Sequence, residues 1–298
     1  MPEPLAIAFI GLGAMGTPMA RRLIEAGYRL AGYDVRSEAV ARLVAAGGRG
    51  ASSAAEAAQG AGVLILMVVS ADQADAVLAS PGVLEGLAAD ATVVVMATCA
   101  PARIEAMSAK VAATGRAFVD APVSGGIVGA EAGTLTIMAA APAPVMQRLR
   151  PVLATMGSAL FHVGERPGQG AAMKIVNQLL CGVHIAVAAE GLAFAERAGI
   201  DPAMALQILG GSAASSWMLK NRGPRMITDE GEVASAVDIF VKDLGLVLDA
   251  GRAERMGLPL AAAAHQLFLA ASGMGHGARD DSQVIETYRA LAPHTPAS

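Results

Sequence analysis

Polar residues recur at helical spacing in an otherwise apolar segment, and one of them could act as a general base. Between Gly168 and Cys181 these residues are Lys174, Asn177, Gln178 and Cys181, so a helix would place them on one face. An ammonium on an apolar face is costly unless it is paired or used. Burial favours the neutral amine, which is the form that accepts a proton. We expect Lys174 to be catalytic with Asn177 beside it, although the lysine stem could instead carry its charge to the surface.

A second candidate is the loop in the segment DAPVSGG, residues 120–126, which follows a predicted strand. Ser124, Gly125 and Gly126 could present one hydroxyl and successive backbone N–H groups to a carboxylate, as a small anion nest does. An ordinary Ser-Gly-Gly turn would use the same residues. The segment alone leaves both interpretations open.

A third candidate is Lys242, in the segment VKDLGLVLDAGR, residues 241–252. A lysine early in a helix lies near the positive end of the helix dipole, so a purely structural lysine is mildly unfavourable there. Asp243 follows it directly. In isolation the segment also fits a solvated helix face, so it predicts no function by itself.

The N-terminal segment predicts a framework for these residues. A buried strand ends at Ile10, a helical pattern opens near Gly13, and a second strand ends at Asp34, which together make a βαβ unit. Gly11 permits a tight turn, Gly13 lets a pyrophosphate approach the backbone, and Gly16 lets the helix pack on the strand. Free N–H groups at the helix start would face the phosphates. The predicted dinucleotide loop consists of Gly11, Leu12, Gly13, Ala14, Met15 and Gly16. A glycine turn without a ligand is the alternative.

The residue at position 34 bears on which dinucleotide binds. The Asp34 carboxylate can accept hydrogen bonds from the adenosine ribose hydroxyls and would repel a 2′-phosphate, which favours NAD. Arg36 opposes this, because an arginine there could bind the phosphate. We therefore expect NAD as the cofactor, with NADP as the alternative.

The alternation of strands and helices continues as far as residue 163. Further strands are predicted at 63–69, 92–97, 116–122, 135–140 and 159–163, with one of the intervening helices at 143–156. This alternation predicts an α/β fold with a Rossmann-type, doubly wound parallel sheet.

Beyond a turn-rich segment at residues 164–170 the periodicity is helical. A long helix is predicted at 171–198, ended by Gly199, and further helices at 202–209, 237–256, 260–272 and 282–291. The expected architecture is a Rossmann domain, residues 1–164, followed by an all-α substrate and dimerisation domain, residues 165–298. The tail after Ala292 is expected to fray.

Composition limits the partners. The 298 residues carry a formal net charge of -4 with no polybasic run, which argues against a nucleic-acid partner. Cys99 and Cys181 are too few for a disulfide framework, and no histidine has ligand spacing, so we expect no metal site and a cytoplasmic location. Charges or glycines interrupt the long apolar stretches, so we expect no membrane partner. Ala-rich, weakly charged helices beyond residue 200 indicate a homodimer or homotetramer.

Taken in order, these motifs resemble those of the 3-hydroxyisobutyrate dehydrogenase family of β-hydroxyacid dehydrogenases over nearly the whole chain. The segments concerned are GLGAMGTPMARRL, DAPVSGG with GAEAGTLT, GQGAAMKIVNQ and VKDLGLVLD. The resemblance implies that Lys174 is catalytic and that Asn177 helps to position the substrate. It also implies that Ser124, Gly125 and Gly126 hold the carboxylate of a small carboxylic-acid substrate.

Two more residues take their roles from the resemblance alone. Thr98, in MATCAP, matches the threonine with which the family approaches the nicotinamide ribose, and Lys242 contacts the cofactor side of the cleft. The sequence departs from the family at two positions. Ala97 stands where serine is usual, and Gln178 replaces the asparagine of some members, as in the tartronate semialdehyde reductase branch.

The C-terminal half resembles the branch of the family that oxidises L-threonate, through SSWMLKNRGPRM, SAVDIFVKDLGLVLD and SGMGHGARDDS. We therefore expect an NAD-dependent dehydrogenase that oxidises L-threonate to 2-oxo-tetronate with a lysine general base. The alternatives are an NADPH-dependent reductase of tartronate or succinic semialdehyde, a 3-hydroxyisobutyrate dehydrogenase, and a catalytically inactive dinucleotide-binding scaffold. Asp280 and Ser282 are expected to cap a helix.

Overall fold

The computed structural model describes residues 5–228 and 233–291, so the tail after Ala292 lies outside the described residues. The chain divides into two compact units, Met1–Lys174 and Ile175–Ser298, which we call the sheet unit and the helical unit. The division falls inside the long helix. The domain boundary predicted between residues 164 and 165 precedes it and stays a prediction.

The sheet unit alternates strands and helices. Its strands are β1 (Ala6–Ile10), β2 (Arg29–Tyr33), β3 (Arg49–Gly50), β4 (Val63–Leu66), β5 (Thr92–Val95), β6 (Ala117–Asp120), β7 (Val123–Ser124), β8 (Thr136–Ala140) and β9 (Ala159–Gly164). Its helices are α1 (Gly16–Glu25), α2 (Ser37–Ala45), α3 (Ala54–Ala58), α4 (Ala71–Ala79), α5 (Val83–Gly86), α6 (Pro101–Ala112), α7 (Gly126–Ala132) and α8 (Ala143–Met156). The helix α9 begins at Gln169.

The sheet has the order β3-β2-β1-β4-β5-β6-β8-β7, and β9 pairs with β8. From β3 to β6 all neighbours are parallel, with Ile10 of β1 beside Tyr33 and Leu66. The predicted Rossmann-type α/β fold is thus confirmed. The sheet is not parallel throughout, because β8 runs antiparallel to β6 and β7. The short connection through α7 lets the chain reverse direction, whereas a parallel pair needs a longer crossover.

Apolar cores cover both faces of this sheet. Alternate residues of β1 point to opposite sides, so that Phe9 packs with residues of α1 and α8, whereas Ile10 packs with residues of α3, α4 and α6. Because central parallel strands are buried on both faces, they read as continuous apolar runs in the sequence. Packing on both faces holds the strands in place, and with them the residues that directly follow the strand ends.

The helical unit contains the rest of the chain. Its helices are the main part of α9 (Gln169–Arg197), α10 (Pro202–Gly211), α11 (Trp217–Thr228), α12 (Val237–Ala253), α13 (Pro259–Ala271) and α14 (Ile285–Leu291). A π-helical turn, Ser272–His276, and a 3-10 helix, Asp281–Val284, lie between α13 and α14. In its core Phe240 stacks on Phe268 with ring centroids 5.1 Å apart.

The long helix α9 ends close to the predicted position. Gly199 follows it with a φ of +74°, a backbone conformation that glycine adopts without strain. By length and composition α9 would also pass as a membrane span, but half of its most apolar window is buried in the protein. Such burial is typical of a helix in a globular core.

Helix α11 is an element that the sequence did not predict. Gly223 and Pro224 lie inside it, and both residue types normally interrupt a helix. Tertiary packing explains the glycine, because a Cβ there would overlap the side chain of Leu206 in α10. Ser216 starts the helix, since its Oγ accepts a hydrogen bond from the Leu219 N–H at 3.0 Å.

Candidate active site

The loop between β1 and α1 has the backbone geometry that a dinucleotide needs. Gly11 has a φ of +96°, and a Cβ there would overlap the carbonyl oxygen of Met67. A Cβ on Gly16 would overlap the carbonyl oxygen of Gly11, so α1 packs directly against the turn. Gly13 differs, because the nearest atom to its ideal Cβ position is Nη2 of Arg36 at 3.7 Å. Gly11 and Gly16 therefore serve the packing of the protein, whereas Gly13 leaves the backbone open to a ligand.

The N-terminus of α1 is free to bind phosphate. Its N-cap residue, Met15, forms no side-chain cap, and the first turn holds no acidic residue. Thr17 does not cap it either, because its Oγ1 donates to the carbonyl oxygen of Leu12 at 2.7 Å and so fixes the loop. Ala14, between them, is exposed. The unpaired N–H groups and the positive end of the helix dipole suit the pyrophosphate of a dinucleotide.

Asp34 follows β2 and contacts the dinucleotide loop. Its Oδ2 accepts a hydrogen bond from the Leu12 N–H at 2.8 Å, and its Oδ1 accepts from the N–H and Nε of Arg36 at 2.9 and 3.1 Å. Burial acts to raise the pKa of Asp34, but the hydrogen bonds from Arg36 and Leu12 outweigh it and hold the pKa below its usual value. The lowered pKa means that Asp34 is ionised. Nη2 of Arg36 also donates to Oδ2 at 3.4 Å, so the carboxylate already accepts four hydrogen bonds, and a ribose hydroxyl would have to displace a contact with Arg36.

The predicted site residues of the sheet unit follow neighbouring strands. Gly11 follows β1, Asp34 follows β2, and Thr98, which is half-buried, follows β5. Asp120 ends β6, and Ser124 lies shortly after it in β7. Since the carboxyl ends of parallel strands meet at one edge of a sheet, the structure brings these residues to the edge where Rossmann folds bind their ligands.

Asp120 anchors the start of α9 to this edge. It is fully buried, and its Oδ2 accepts hydrogen bonds from the N–H groups of Gly168 and Ala171 at 3.0 and 2.8 Å. Burial raises the pKa of Asp120 to about 6, although hydrogen bonds from Ala171, Gly168 and Gly170 act in the opposite direction. The contact is close, because a Cβ on Gly170 would lie 2.6 Å from the carbonyl oxygen of Met138. The first turn of α9 therefore rests directly on the sheet.

Lys174 lies in the next turn of α9, three residues beyond Ala171, and belongs to the sheet unit. Only 7% of Lys174 is exposed. The alternative in which its stem carries the charge to the surface therefore does not describe this structure. This burial beside the sheet edge keeps Lys174 as the candidate base.

The Ser124 loop has the glycine-dependent backbone of an anion nest. Ser124 pairs with Thr136 of β8, and the next two residues, Gly125 and Gly126, have φ values of +131° and +63°. A Cβ on Gly126 would meet no atom within 4 Å, whereas one on Gly125 would lie 3.2 Å from Leu135. This conformation can turn successive N–H groups toward one point. That the loop holds a substrate carboxylate stays a prediction.

In the helical unit, Asn177 and Lys242 are connected by two hydrogen bonds and an ion pair, through Gln178 and Asp243. Nδ2 of Asn177 donates to Oε1 of Gln178 at 2.9 Å and to Sγ of Cys181 at 3.4 Å. Nε2 of Gln178 donates to Oδ2 of Asp243 at 2.5 Å, and Nζ of Lys242 lies 2.7 Å from Oδ1 of Asp243. Gln178 and Asp243 are both buried. The chain therefore connects the segment that follows Lys174 in α9 with the C-terminal motif in α12.

Other candidates have structural roles. Within residues 5–228 and 233–291, no group of three or more His, Cys, Asp or Glu side chains could hold a metal ion. Asp280 accepts a hydrogen bond from the Ser282 N–H at 3.1 Å at the start of the 3-10 helix, which confirms the predicted helix cap. Arg222 and Asp281 form a buried ion pair with Nε and Oδ1 2.7 Å apart.

Two positioning residues were not predicted from the sequence. Asp120 stood inside a recognised motif but was not assigned a role, although an acid at the end of a buried strand must find internal donors. Asp243 was noticed only as the neighbour of Lys242. Its partner Gln178 is 65 positions away in sequence, so spacing could not connect them.

Two family profiles match successive parts of the chain. The profile of the NAD binding domain of 6-phosphogluconate dehydrogenase matches residues 6–164, and the one described as NAD-binding of NADP-dependent 3-hydroxyisobutyrate dehydrogenase matches residues 168–288. L-threonate dehydrogenase of Cupriavidus necator is 42% identical over 283 residues, which cover 95% of each chain. The 3-hydroxyisobutyrate dehydrogenase of Pseudomonas aeruginosa is 36% identical over 293 residues, 95% of this chain and 98% of the relative.

Two solved structures of 3-hydroxyisobutyrate dehydrogenases are also similar to this chain. The crystal structure of a 3-hydroxyisobutyrate dehydrogenase from Salmonella typhimurium superposes with a TM-score of 0.89 at 40% identity, covering 95% of this chain and 99% of that one. The Mycobacterium tuberculosis 3-hydroxyisobutyrate dehydrogenase superposes with a TM-score of 0.86 at 29% identity, covering 96% and 99%. Nothing in these similarities supports the inactive-scaffold alternative. The chain belongs to the 3-hydroxyisobutyrate dehydrogenase family and is an NAD(P)-dependent hydroxy-acid dehydrogenase.

Proposed function

We propose that the chain oxidises L-threonate to 2-oxo-tetronate with Lys174 as the general base. The observation that carries this proposal is the burial of Lys174 in α9, one turn beyond the point where Asp120 fixes that helix to the sheet edge. The same edge carries the dinucleotide loop at Gly11–Gly16. A buried ionisable group next to a cofactor-binding edge is typical of a proton-transferring residue.

In the proposed reaction, Ser124 and the N–H groups of Gly125 and Gly126 bind the substrate carboxylate. The amine of Lys174 accepts the hydroxyl proton while the carbon–hydrogen bond breaks. A bound nicotinamide dinucleotide supplies the hydride acceptor. Positioning of this kind is worth roughly 7 to 11 kcal/mol of the barrier, and a general base contributes about 10²- to 10⁴-fold.

The residues that would hold the dinucleotide are those of the Gly11–Gly16 loop together with Asp34, Thr98 and, by family resemblance, Lys242. The open backbone at Gly13 and the uncapped start of α1 fit a pyrophosphate. Asp34 supports NAD over NADP, because its ionised carboxylate would repel a 2′-phosphate. Arg36, whose side chain is 55% exposed beside Asp34, keeps NADP as the alternative.

The substrate is supported by relatives of known name. The L-threonate dehydrogenases of Cupriavidus necator and Escherichia coli K12 are 42% and 39% identical to this chain over almost its full length. One relative favours the reductase alternative, because the 3-sulfolactaldehyde reductase of Escherichia coli is 34% identical over 292 residues. Oxidation of 3-hydroxyisobutyrate is the other alternative.

The chain is further proposed to act as a cytoplasmic homodimer or homotetramer. Large apolar side chains are exposed along α9 at Val176, Leu180, Val187 and Phe194, and these positions fall on one helical face. Such a stripe suits burial against a second copy. Light scattering should then give two or four times the 29.9 kDa of one chain, and a mass of one chain would contradict the assembly.

A panel of three- and four-carbon hydroxy acids tests the substrate proposal, with reduction of NAD or NADP followed spectrophotometrically. L-threonate with NAD is expected to give the highest kcat/KM, ahead of 3-hydroxyisobutyrate. The reverse reaction should be assayed with tartronate and succinic semialdehydes and NADPH. A strong preference for those substrates would overturn the proposed direction and cofactor.

A further inference from the structure

Asp243 fixes the direction of the hydrogen-bonded chain in the helical unit. A carboxylate only accepts hydrogen bonds, so Gln178 must turn its NH₂ group toward Asp243, with Nε2 and Oδ2 2.5 Å apart. The ammonium of Lys242, 2.7 Å from the other oxygen, keeps the carboxylate paired. The orientation of the Gln178 amide is therefore fixed, and its Oε1 lies 2.9 Å from Nδ2 of Asn177.

The same reasoning fixes the amide of Asn177. Facing an oxygen of Gln178, it must present Nδ2, and Nδ2 also donates to Sγ of Cys181 at 3.4 Å. Both protons of the NH₂ group are then used. Among the residues that the structure describes, none donates a hydrogen bond to Oδ1 of Asn177, and the residue is only half-buried. Oδ1 of Asn177 can therefore accept a hydrogen bond from a ligand.

An acceptor at this position restricts the substrate. In the proposed reaction the proton of the reacting hydroxyl goes to Lys174, so that hydroxyl has no proton left to donate to Asn177. We propose that Asn177 accepts a hydrogen bond from a second hydroxyl of a polyhydroxy acid, and that Gln178 and Asp243 are positioning residues that hold its amide in this orientation. The inference rests on the proposed function, because it takes Lys174 as the base. It makes Asn177 a specificity-determining residue against acids with a single hydroxyl.

The substitution Asp243→Asn should reverse the donor–acceptor direction of the hydrogen bonds that connect Asn177, Gln178 and position 243. The ammonium of Lys242 attracts the oxygen of the substituted amide, whose NH₂ group then faces Gln178. Oε1 of Gln178 must then accept a hydrogen bond from that NH₂ group, which turns the NH₂ group of Gln178 toward Asn177. Asn177 would then present its own oxygen inward and its NH₂ group to the ligand.

The orientation can be measured without any turnover. The chain contains two asparagines, Asn177 and Asn221, so protein labelled with ¹⁵N-asparagine shows only two side-chain amides by NMR. In the wild type the Nδ2 protons of Asn177 should show nuclear Overhauser contacts to the β-protons of Cys181. The Asp243→Asn substitution adds a third side-chain amide to the spectrum, and the variant should lose the contacts of Asn177 to Cys181 while the Asn221 resonances stay in place. Absence of the contacts in the wild type would overturn the inferred orientation.

Binding of two matched acids tests the specificity. The KM of L-threonate is compared with the inhibition constant of 2-hydroxybutyrate, which has one hydroxyl, in the wild type, Asp243→Asn and Gln178→Met. The preference for L-threonate should fall by about three- to tenfold in both variants, the worth of one hydrogen bond. Asp249→Asn, an exposed aspartate on the same helix, is the control and should keep the preference.

The outcomes separate the two proposals. Equal weakening of both acids in Asp243→Asn would mean a purely structural role for Asp243 and would overturn the inference, while the proposed dehydrogenase reaction would stand. If the wild type oxidises neither L-threonate nor any other hydroxy acid of the panel, the proposed function fails. The nuclear Overhauser contacts of Asn177 would still show the orientation of its amide in that case, because they do not depend on turnover.

Discussion

The substitution Asp120→Asn tests how the start of α9 is held on the sheet. Burial raises the pKa of Asp120 from 3.8 to about 6 in the folded protein. The folded state then binds the carboxyl proton more tightly than the unfolded state, by about 3 kcal/mol. A carboxyl with a raised pKa stabilises the fold when protonated. Its contribution is therefore lost as the pH rises through about 6, opposite to the behaviour of a carboxyl in a salt bridge.

Linkage gives the size of the effect. Between about pH 5 and pH 8, titration of Asp120 should lower the free energy of unfolding by about 1.4 kcal/mol. The Asp120→Asn side chain does not titrate, so the variant should lack this loss, although its amide oxygen can still accept from the start of α9. The difference in unfolding free energy between the two proteins should therefore change by that amount.

Urea unfolding at several pH values in this range measures the difference. Asp249→Asn is the matched control, because Asp249 is exposed and pairs with Arg252 at the surface. Its curve should run parallel to that of the wild type. If the Asp120→Asn curve also runs parallel, the carboxylate of Asp120 does not titrate as a buried anchor, and this account of α9 is refuted.

The dinucleotide site gives two further predictions. Gly13→Ala should leave the unfolding temperature unchanged, because its Cβ has no neighbour closer than 3.7 Å, yet calorimetry should show NAD binding weakened at least about tenfold. Gly16→Ala should lower the unfolding temperature as well, since its Cβ overlaps the Gly11 carbonyl; equal behaviour of the two variants would contradict the roles assigned to them. Asp34→Asn removes the charge that repels a 2′-phosphate beside Arg36, so the ratio of kcat/KM for NAD to that for NADP should fall about tenfold or more. An unchanged ratio would show that Asp34 does not select the cofactor.

Local patterns in the sequence were enough to predict the framework. The βαβ unit around Gly11 and Asp34 has its signals within one stretch of chain, and the helix at 143–156 has the bounds found for α8. The end of α9 could be predicted because Gly199 is a local stop signal. In each case the residues that determine the element lie inside it or next to it.

The remaining features depend on contacts between distant residues. Helix α11 forms despite Gly223 and Pro224, and at Gly223 it packs closely against the side chain of Leu206 in α10. The reversal of β8 depends on pairing between strands, which composition does not specify. Asp120 binds N–H groups about fifty positions away, and the orientation of Asn177 depends on the distant Asp243. Such roles appear only once the chain is folded.

Replacement of Lys174 tests the general base directly. Lys174→Ala should lower kcat for L-threonate by at least about 10²-fold, the contribution of a positioned base. The affinity for NAD, measured by calorimetry, should change little, because the dinucleotide loop is untouched. Lys110→Ala is the control, since Lys110 is exposed in a surface ion pair with Asp75, and it should keep both values. If Lys174→Ala turns over L-threonate as fast as the wild type, Lys174 is not the base and the mechanism proposed for this enzyme is wrong.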